Sequence, residues 1–248
     1  MTHHALQFTE RPEGSQTMAE GMKDAHNYYR WTMAQFVPFL GQNVLDIGGG
    51  FGSHLAYLLP HQGRITSVEL SAECVAYMRQ KFAPYPDFRA LQVDFGADDV
   101  AMLTARQFDT ITCMNVLEHI EDDIAALRDM HGILAAQNGR LLLQVPAHAW
   151  LYGSLDSQAG HFRRYARQEV QQKLMQTGFK IERVFYFNSF GVLPWLINAR
   201  VLKVNINAGS TNAQVRLFDQ WIVPVMARLE AVITPPIGQS VMAIAQAL

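Results

Sequence analysis

Asn43-Val44-Leu45-Asp46-Ile47-Gly48-Gly49-Gly50-Phe51-Gly52 decides the fold of this chain. Val44, Leu45 and Ile47 read as a short buried strand, and the glycines that follow cannot continue it. Glycine accepts positive φ and lets a second backbone or a ligand come close. A strand running into Gly-x-Gly-x-Gly therefore predicts a tight turn built to hold something. Ser53 to Leu59 resumes with helical spacing. The turn thus opens a helix whose free N–H groups and positive dipole end face a ligand, the arrangement of a nucleotide site.

Dinucleotide-binding folds use Gly-x-Gly-x-x-Gly at the same point. Here the glycines fall at 48, 50 and 52, and position 53, where that pattern wants Gly or Ala, is Ser. Asp46 ends the strand; its carboxylate can accept from an amino-acid moiety or from the turn's own N–H groups, and it would repel a pyrophosphate. A cationic ligand with an adenosine end and an ammonium end fits better. On these residues the sequence resembles the class I S-adenosylmethionine-dependent methyltransferases, whose first motif reads Asp/Glu-x-Gly-x-Gly-x-Gly. The resemblance spans roughly residues 25–248. It implies an α/β, Rossmann-like doubly wound sheet of seven strands, the last antiparallel, with helical additions at both ends and S-adenosylmethionine as cofactor.

The next strand, Arg64 to Leu70, carries Glu69, 69 − 46 = 23 residues after Asp46, which is one βαβ step. An acid at that spacing is placed to accept both ribose hydroxyls, with Leu70 beside it. Phe88 to Phe95 reads as a third strand. The resemblance puts Asp94 on the adenine amino group and Phe95 against the ring. A fourth strand reaches Asn115 and Val116, and in an open parallel sheet the ligand lies beyond the carboxyl ends of the strands. Asn115 is the candidate contact to the methionine amine or carboxylate. Glu118 and His119 follow; capping of a helix over 121–136 is their expected role, with a catalytic pair as the alternative. Ahead of the first strand, residues 21–39 fit a helix with an aromatic stripe. Most of those rings are expected to pack on the sheet. The resemblance to an Asn-Tyr-x-x-Trp segment makes Tyr28 a candidate to border the sulfonium, where a π face stabilises a cation.

Length and composition bound the alternatives. The chain has 248 residues, 49% of them hydrophobic, enough for one α/β domain with a full core. Its net charge of −2 (20 basic, 22 acidic) comes without a dense basic stretch, which argues against nucleic acid as substrate. Cys74 and Cys113 read as buried thiols, and no Cys/His spacing suggests zinc, so no metal is expected. No apolar run reaches transmembrane length and no signal segment opens the chain, so a cytoplasmic enzyme is expected. Residues 1–24 read as a flexible segment or lid, and 25–248 as a single catalytic domain. Apolar helical patterns at 190–204 and 213–232, interrupted by Pro194 and Pro224, form an insertion before the last strand, suited first to core or dimer packing and second to an acyl-chain pocket.

The fifth strand ends at Pro146, and residues 147–165 form a long connection over the ligand end. Such a length predicts an active-site loop. It supplies His148, Trp150, Tyr152, His161, Arg163, Arg164 and Tyr165 as lid or substrate contacts. Asn115, Tyr152 and His161 are the candidate catalytic residues, with His161 as base or anchor and Tyr152 as cation–π partner. Asp156 pairing with Arg163 or Arg164 would fasten the lid, and at least one arginine is expected to be structural. The Gly-His-x-Arg-Arg-Tyr run at 160–165 resembles a bacterial subgroup of these methyltransferases. The expected reaction is in-line transfer of a methyl group to a small molecule. Intramolecular cyclisation of the cofactor to azetidine-2-carboxylate is one alternative, and a non-catalytic cofactor-binding module is another.

Overall fold

β1 (Asn43–Ile47) runs through the centre of the sheet, with every residue after Asn43 buried. It pairs in parallel with β2 (Arg64–Glu69) on one side and β4 (Thr110–Met114) on the other. Outside these lie β3 (Phe88–Gln92) next to β2 and β5 (Arg140–Pro146) next to β4, both parallel. β7 (Ser240–Ala247) inserts antiparallel between β5 and β6 (Phe179–Phe187). The seven strands run β3-β2-β1-β4-β5-β7-β6, a doubly wound sheet with the expected antiparallel last strand. In this computed structural model the described residues are 22, 25–61, 63–95, 99–204 and 215–248, so the segment or lid expected at 1–24 lies outside them apart from Met22.

A parallel sheet is buried on both faces, and alternate residues of each strand serve opposite cores. Leu45, Ile47, Ile111, Cys113, Leu141 and Leu143 join one cluster, whereas Val44, Ile65, Leu142, Met242 and Ile244 join the other. The first cluster is covered by α5 (Asp123–Ala135) and α7 (Arg167–Gln176), through Leu127, Met130 and Leu174. The second is covered by α1 (His26–Ala34), α2 (Leu55–Leu58) and α3 (Ala72–Lys81), through Trp31, Met33, Leu58 and Met78. The aromatic stripe of α1 is thus mainly core packing, with the Trp31 and Phe187 rings 4.1 Å apart.

Several elements differ from the sequence expectation. β3 stops at Gln92, so Asp94 and Phe95 lie in the connection beyond it. α5 is capped by Asp122, whose carboxylate accepts from the Ala125 N–H, so Glu118 and His119 are free for another role. The long 147–165 connection contains a 3₁₀ turn (Ala149–Leu151) and α6 (Ser154–Ala159), and its ends are joined by an Ala147–Tyr165 bridge. It is a folded flap, not an irregular loop. In the C-terminal insertion, α8 (Val192–Leu196) continues into a π turn (Ile197–Val201), and a second π turn (Phe218–Ile222) leads into α9 (Val223–Glu230). Pro194 is the third residue of α8, and Pro224, the second residue of α9, follows the second π turn, whose wider ring accommodates the missing N–H, so the helical run continues through both.

Candidate active site

The glycine turn is held from below and open above. Gly48 (φ +72°) lies so close to the Val116 side chain that a Cβ there would collide with it. Gly50 (φ +52°) is the opposite case, because a Cβ added there would meet no protein atom within 4 Å. Its backbone faces the open volume of a cavity of about 900 Å³ at the carboxyl ends of β1, β2 and β4. Glu69 anchors the turn: its carboxylate accepts from the Gly50 N–H at 2.8 Å and from the Ser71 N–H at 3.0 Å. A carboxylate offers about four acceptor positions, so two remain for ligand hydroxyls.

Ten expected site residues line this cavity: Tyr28, Gly48, Gly50, Glu69, Leu70, Phe95, Asn115, Val116, His161 and Arg164. Asn115 adopts φ +54°, a left-handed conformation that Asn tolerates better than most residues, and this sets it at the exposed end of β4. Opposite the turn, the wall is apolar and comes from the C-terminal insertion, with Pro194, Trp195, Phe218, Trp221 and Ile222. Trp221 is 71% exposed and stands at the mouth.

Asp46 does not line the cavity. Its two oxygens accept from His54 Nε2 (2.8 Å), Thr112 Oγ1 (2.8 Å) and Ser67 Oγ (2.7 Å), and it is fully buried. The strand-end acid braces β1 against its neighbours instead of reaching for an ammonium. Burial alone would raise its pKa, but His54 and the hydroxyl donors hold it below the ordinary 3.8. A depressed carboxylate stabilises the fold above its unfolded pKa of about 4 and loses that contribution as pH falls through the folded value. The stability gap between wild type and Asp46→Asn should therefore be constant near neutrality and shrink below about pH 4. Thermal melts across that range measure it.

Other expected contacts are also placed elsewhere. Gly52 packs on Phe82, and Asp94 is half-buried outside the cavity, although Val93 and Phe95 on either side line it. Tyr152 donates its hydroxyl to the His161 carbonyl at 2.8 Å and is absent from the cavity wall, which removes it as a cation–π partner. His148 stacks on Tyr186 with centroids 4.7 Å apart, and Trp150 is 49% exposed beside it. Arg163 pairs with Asp123 at 2.9 Å, and the buried Tyr165 donates to the same carboxylate at 3.0 Å. These side chains are hidden from the ligand because the flap folds on itself and its aromatic and charged groups lock it to α5 and β6.

The flap does deliver His161 and Arg164 to the cavity, through a buried network centred on Asp156. Asp156 Oδ1 accepts from Arg164 Nε at 2.7 Å and from His161 Nδ1 at 2.9 Å, and Oδ2 accepts from the Gly153 N–H at 2.9 Å. The Arg164 guanidinium lies 4.5 Å from the Trp195 ring, joining the network to the apolar wall. Beyond His161 lies Glu118, fully buried, with no hydrogen-bond partner on either oxygen. Burial pushes its pKa up to about 7, countered in part by His161 and Arg164. His119, beside it, is pushed down to about 3 by burial and by His161.

Two wall contacts were not legible in the sequence. Asp219 accepts from the N–H groups of Asn27 (3.1 Å) and Tyr28 (2.7 Å), capping α1 from across the chain because the adjacent Ala25 has no side-chain acceptor. Gln144 donates to the Tyr28 hydroxyl at 3.0 Å and to Ser240 at 3.2 Å. Together they set Tyr28 in the wall.

Solved structures share this architecture at low identity. A chain from the complex between the Haloferax volcanii Trm112 methyltransferase activator and its methyltransferase superposes with TM-score 0.56 at 17% identity, covering 93% of each chain. A SAM-dependent methyltransferase from Archaeoglobus fulgidus gives 0.55 at 16%, covering 89% of this chain and 94% of that one. At such identities the likeness speaks for the fold. Residues 45–141, from β1 into β5, match the family model described as a methyltransferase domain. That match agrees with the resemblance to S-adenosylmethionine-dependent methyltransferases carried by the glycine turn.

The methyltransferase domain has curated relatives that match it over part of their length. The ubiquinone biosynthesis O-methyltransferase of Coxiella burnetii is 31% identical over 90 residues, 36% of this chain and 37% of that protein. The enzyme of the same name from Xylella fastidiosa is 35% identical over 111 residues, 43% of each chain. The chain thus spans about two-fifths of the length of these relatives. The residues at the turn fit the cofactor: a glycine with open space above it, an acid with free acceptor positions, a buried ring at Phe95 and an amide at Asn115. Among the described residues no helix is long and apolar enough to cross a membrane.

Proposed function

We propose that this protein transfers a methyl group from S-adenosylmethionine to an oxygen of a small, largely apolar acceptor. One observation carries the reading: a single cavity of about 900 Å³ joins the glycine turn to the apolar wall of the C-terminal insertion. That volume is near the upper end of ligand sites, roughly 300–1,000 Å³, so it has room for an acceptor beside the cofactor. The cofactor supplies a sulfonium-activated methyl group when bound. The protein's part is then alignment and exclusion of water, which can supply several kcal/mol of a displacement barrier. Glu69 would hold the ribose, Phe95 would cover the adenine, and Asn115 would fix the methionine end. Trp195, Trp221 and Phe218 would hold the acceptor's apolar body. Oxygen is favoured as the receiving atom because the curated relatives are O-methyltransferases.

Cyclisation of the cofactor onto its own amine is less well supported, since it needs little spare volume and its ring partner Tyr152 is outside the cavity. The test is incubation with S-adenosylmethionine and a panel of hydroxylated aromatic and isoprenoid acceptors, followed by mass spectrometry. S-adenosylhomocysteine together with a product heavier by one methylene is the expected outcome. Release of methylthioadenosine without acceptor would replace the proposal by cyclisation, and cofactor binding with no turnover would leave a binding module.

A further inference from the structure

Glu118, His119 and His161 converge on one point of the cavity wall. Each offers a ligand atom within 4.8 Å of the others, and His161 Nε2 is 3.9 Å from Glu118 Oε1. Three features make this more than a crowded corner. The Glu118 carboxylate is wholly buried, yet neither oxygen has a hydrogen-bond partner, a costly arrangement for an acceptor-only group. The His161 Nδ1 nitrogen is engaged with Asp156 at 2.9 Å, and Asp156 is fixed in turn by Arg164. With Nδ1 engaged there, the ring turns Nε2 toward Glu118, at a distance too long for a hydrogen bond. The His119 ring stands edge-on to His161 at 4.7 Å between centroids.

A histidine that gives one nitrogen to a carboxylate or carbonyl and offers the other inward is the usual pattern around a bound transition metal. Two imidazoles and one carboxylate form a ligand set for zinc or a neighbouring divalent ion, with a fourth position left for solvent or substrate. The buried group holds two carboxylates, Glu118 and Asp156, against one guanidinium, Arg164, so a dication is favoured over an anion. Donors around a tetrahedral ion sit about 3.4 Å apart, so the observed spacing must close by up to about 1.4 Å on binding. All three residues line the methyl-transfer cavity, so the open position would face the acceptor.

We propose that Glu118, His119 and His161 bind a divalent transition-metal ion, with His161 oriented by Asp156 and the open position toward the acceptor. Metal binding stands apart from methyl transfer and is tested without S-adenosylmethionine. The full chain, stripped with a chelator, is titrated with cobalt(II) while visible absorption is recorded, and with zinc(II) by calorimetry. Uptake of one equivalent with the absorption of a low-coordinate cobalt site is expected, along with a higher melting temperature in zinc. Glu118→Gln, which keeps the shape of the side chain, and His119→Gln should each weaken binding at least 10- to 100-fold. Circular dichroism confirms that each variant is folded. Absence of uptake by the wild-type protein overturns the proposal. So does uptake that both variants retain in full, which would assign the ion to another site such as the His3-His4 pair.

Discussion

Replacing Asp156 by alanine is expected to lower stability by about 3–5 kcal/mol, the cost of breaking a buried ion pair by removing one partner. Asp156 is fully buried, and the Arg164 side chain is 1% exposed, so the guanidinium left behind would lose its hydrogen-bonded carboxylate while still largely shielded from solvent. The same substitution removes acceptors from His161 and from the Gly153 N–H. For a chain of this length the loss corresponds to a fall in melting temperature of roughly 6–20 °C. The double variant Asp156→Ala/Arg164→Met is expected to recover part of the loss, because removing both charges avoids an uncompensated one. Thermal melts of the two variants decide the matter. A double variant less stable than the single one would show that Arg164 contributes chiefly through Trp195 and Ala147, and not through Asp156.

Replacing Glu69 by alanine is expected to weaken S-adenosylmethionine binding about 100-fold or more. Hydrogen bonds to a charged group contribute about 1.5–3 kcal/mol each, and two ribose hydroxyls would be deprived of their acceptor. Glu69 also braces the Gly50 and Ser71 N–H groups, so the turn itself loosens. Gly50→Ala separates the two effects. Its methyl meets no protein atom, so the fold bears only the positive-φ strain of about 1–2 kcal/mol, while the cofactor's volume is invaded. Calorimetry should find both variants folded and both severely impaired in cofactor binding. A dissociation constant within a few-fold of wild type for Glu69→Ala would remove that residue from the cofactor site.

The parts of the site that were legible in the sequence are those set by local geometry. A strand ending in glycines, an acid one βαβ step later and an amide at the next strand end can be read from spacing, because a parallel sheet presents every carboxyl end on one edge. Glu69, Gly50 and Asn115 accordingly fall on the cavity. Asp46 has the right position but the wrong surroundings: His54, Ser67 and Thr112 occupy its oxygens, and no spacing rule announces that. The flap misled for the same reason. Arg163 and Tyr165 are turned onto Asp123, and Tyr152 onto the flap's own backbone, by contacts made only once α5 and α6 are packed.

By itself the sequence determined the alternation of strands and helices and the edge where a cofactor would sit, and its family resemblance implied the seven-stranded sheet with an antiparallel last strand. The first two follow from periodicity and turn chemistry, which act over a few residues. Only the tertiary structure decided which of the polar residues face the cavity. It brought Glu118 and His119 from the end of β4 against His161 from the flap, and seated Asp219 on the start of α1. Such meetings arise from the mutual packing of elements distant in the chain, where burial assigns each charged group a partner or leaves it facing a ligand.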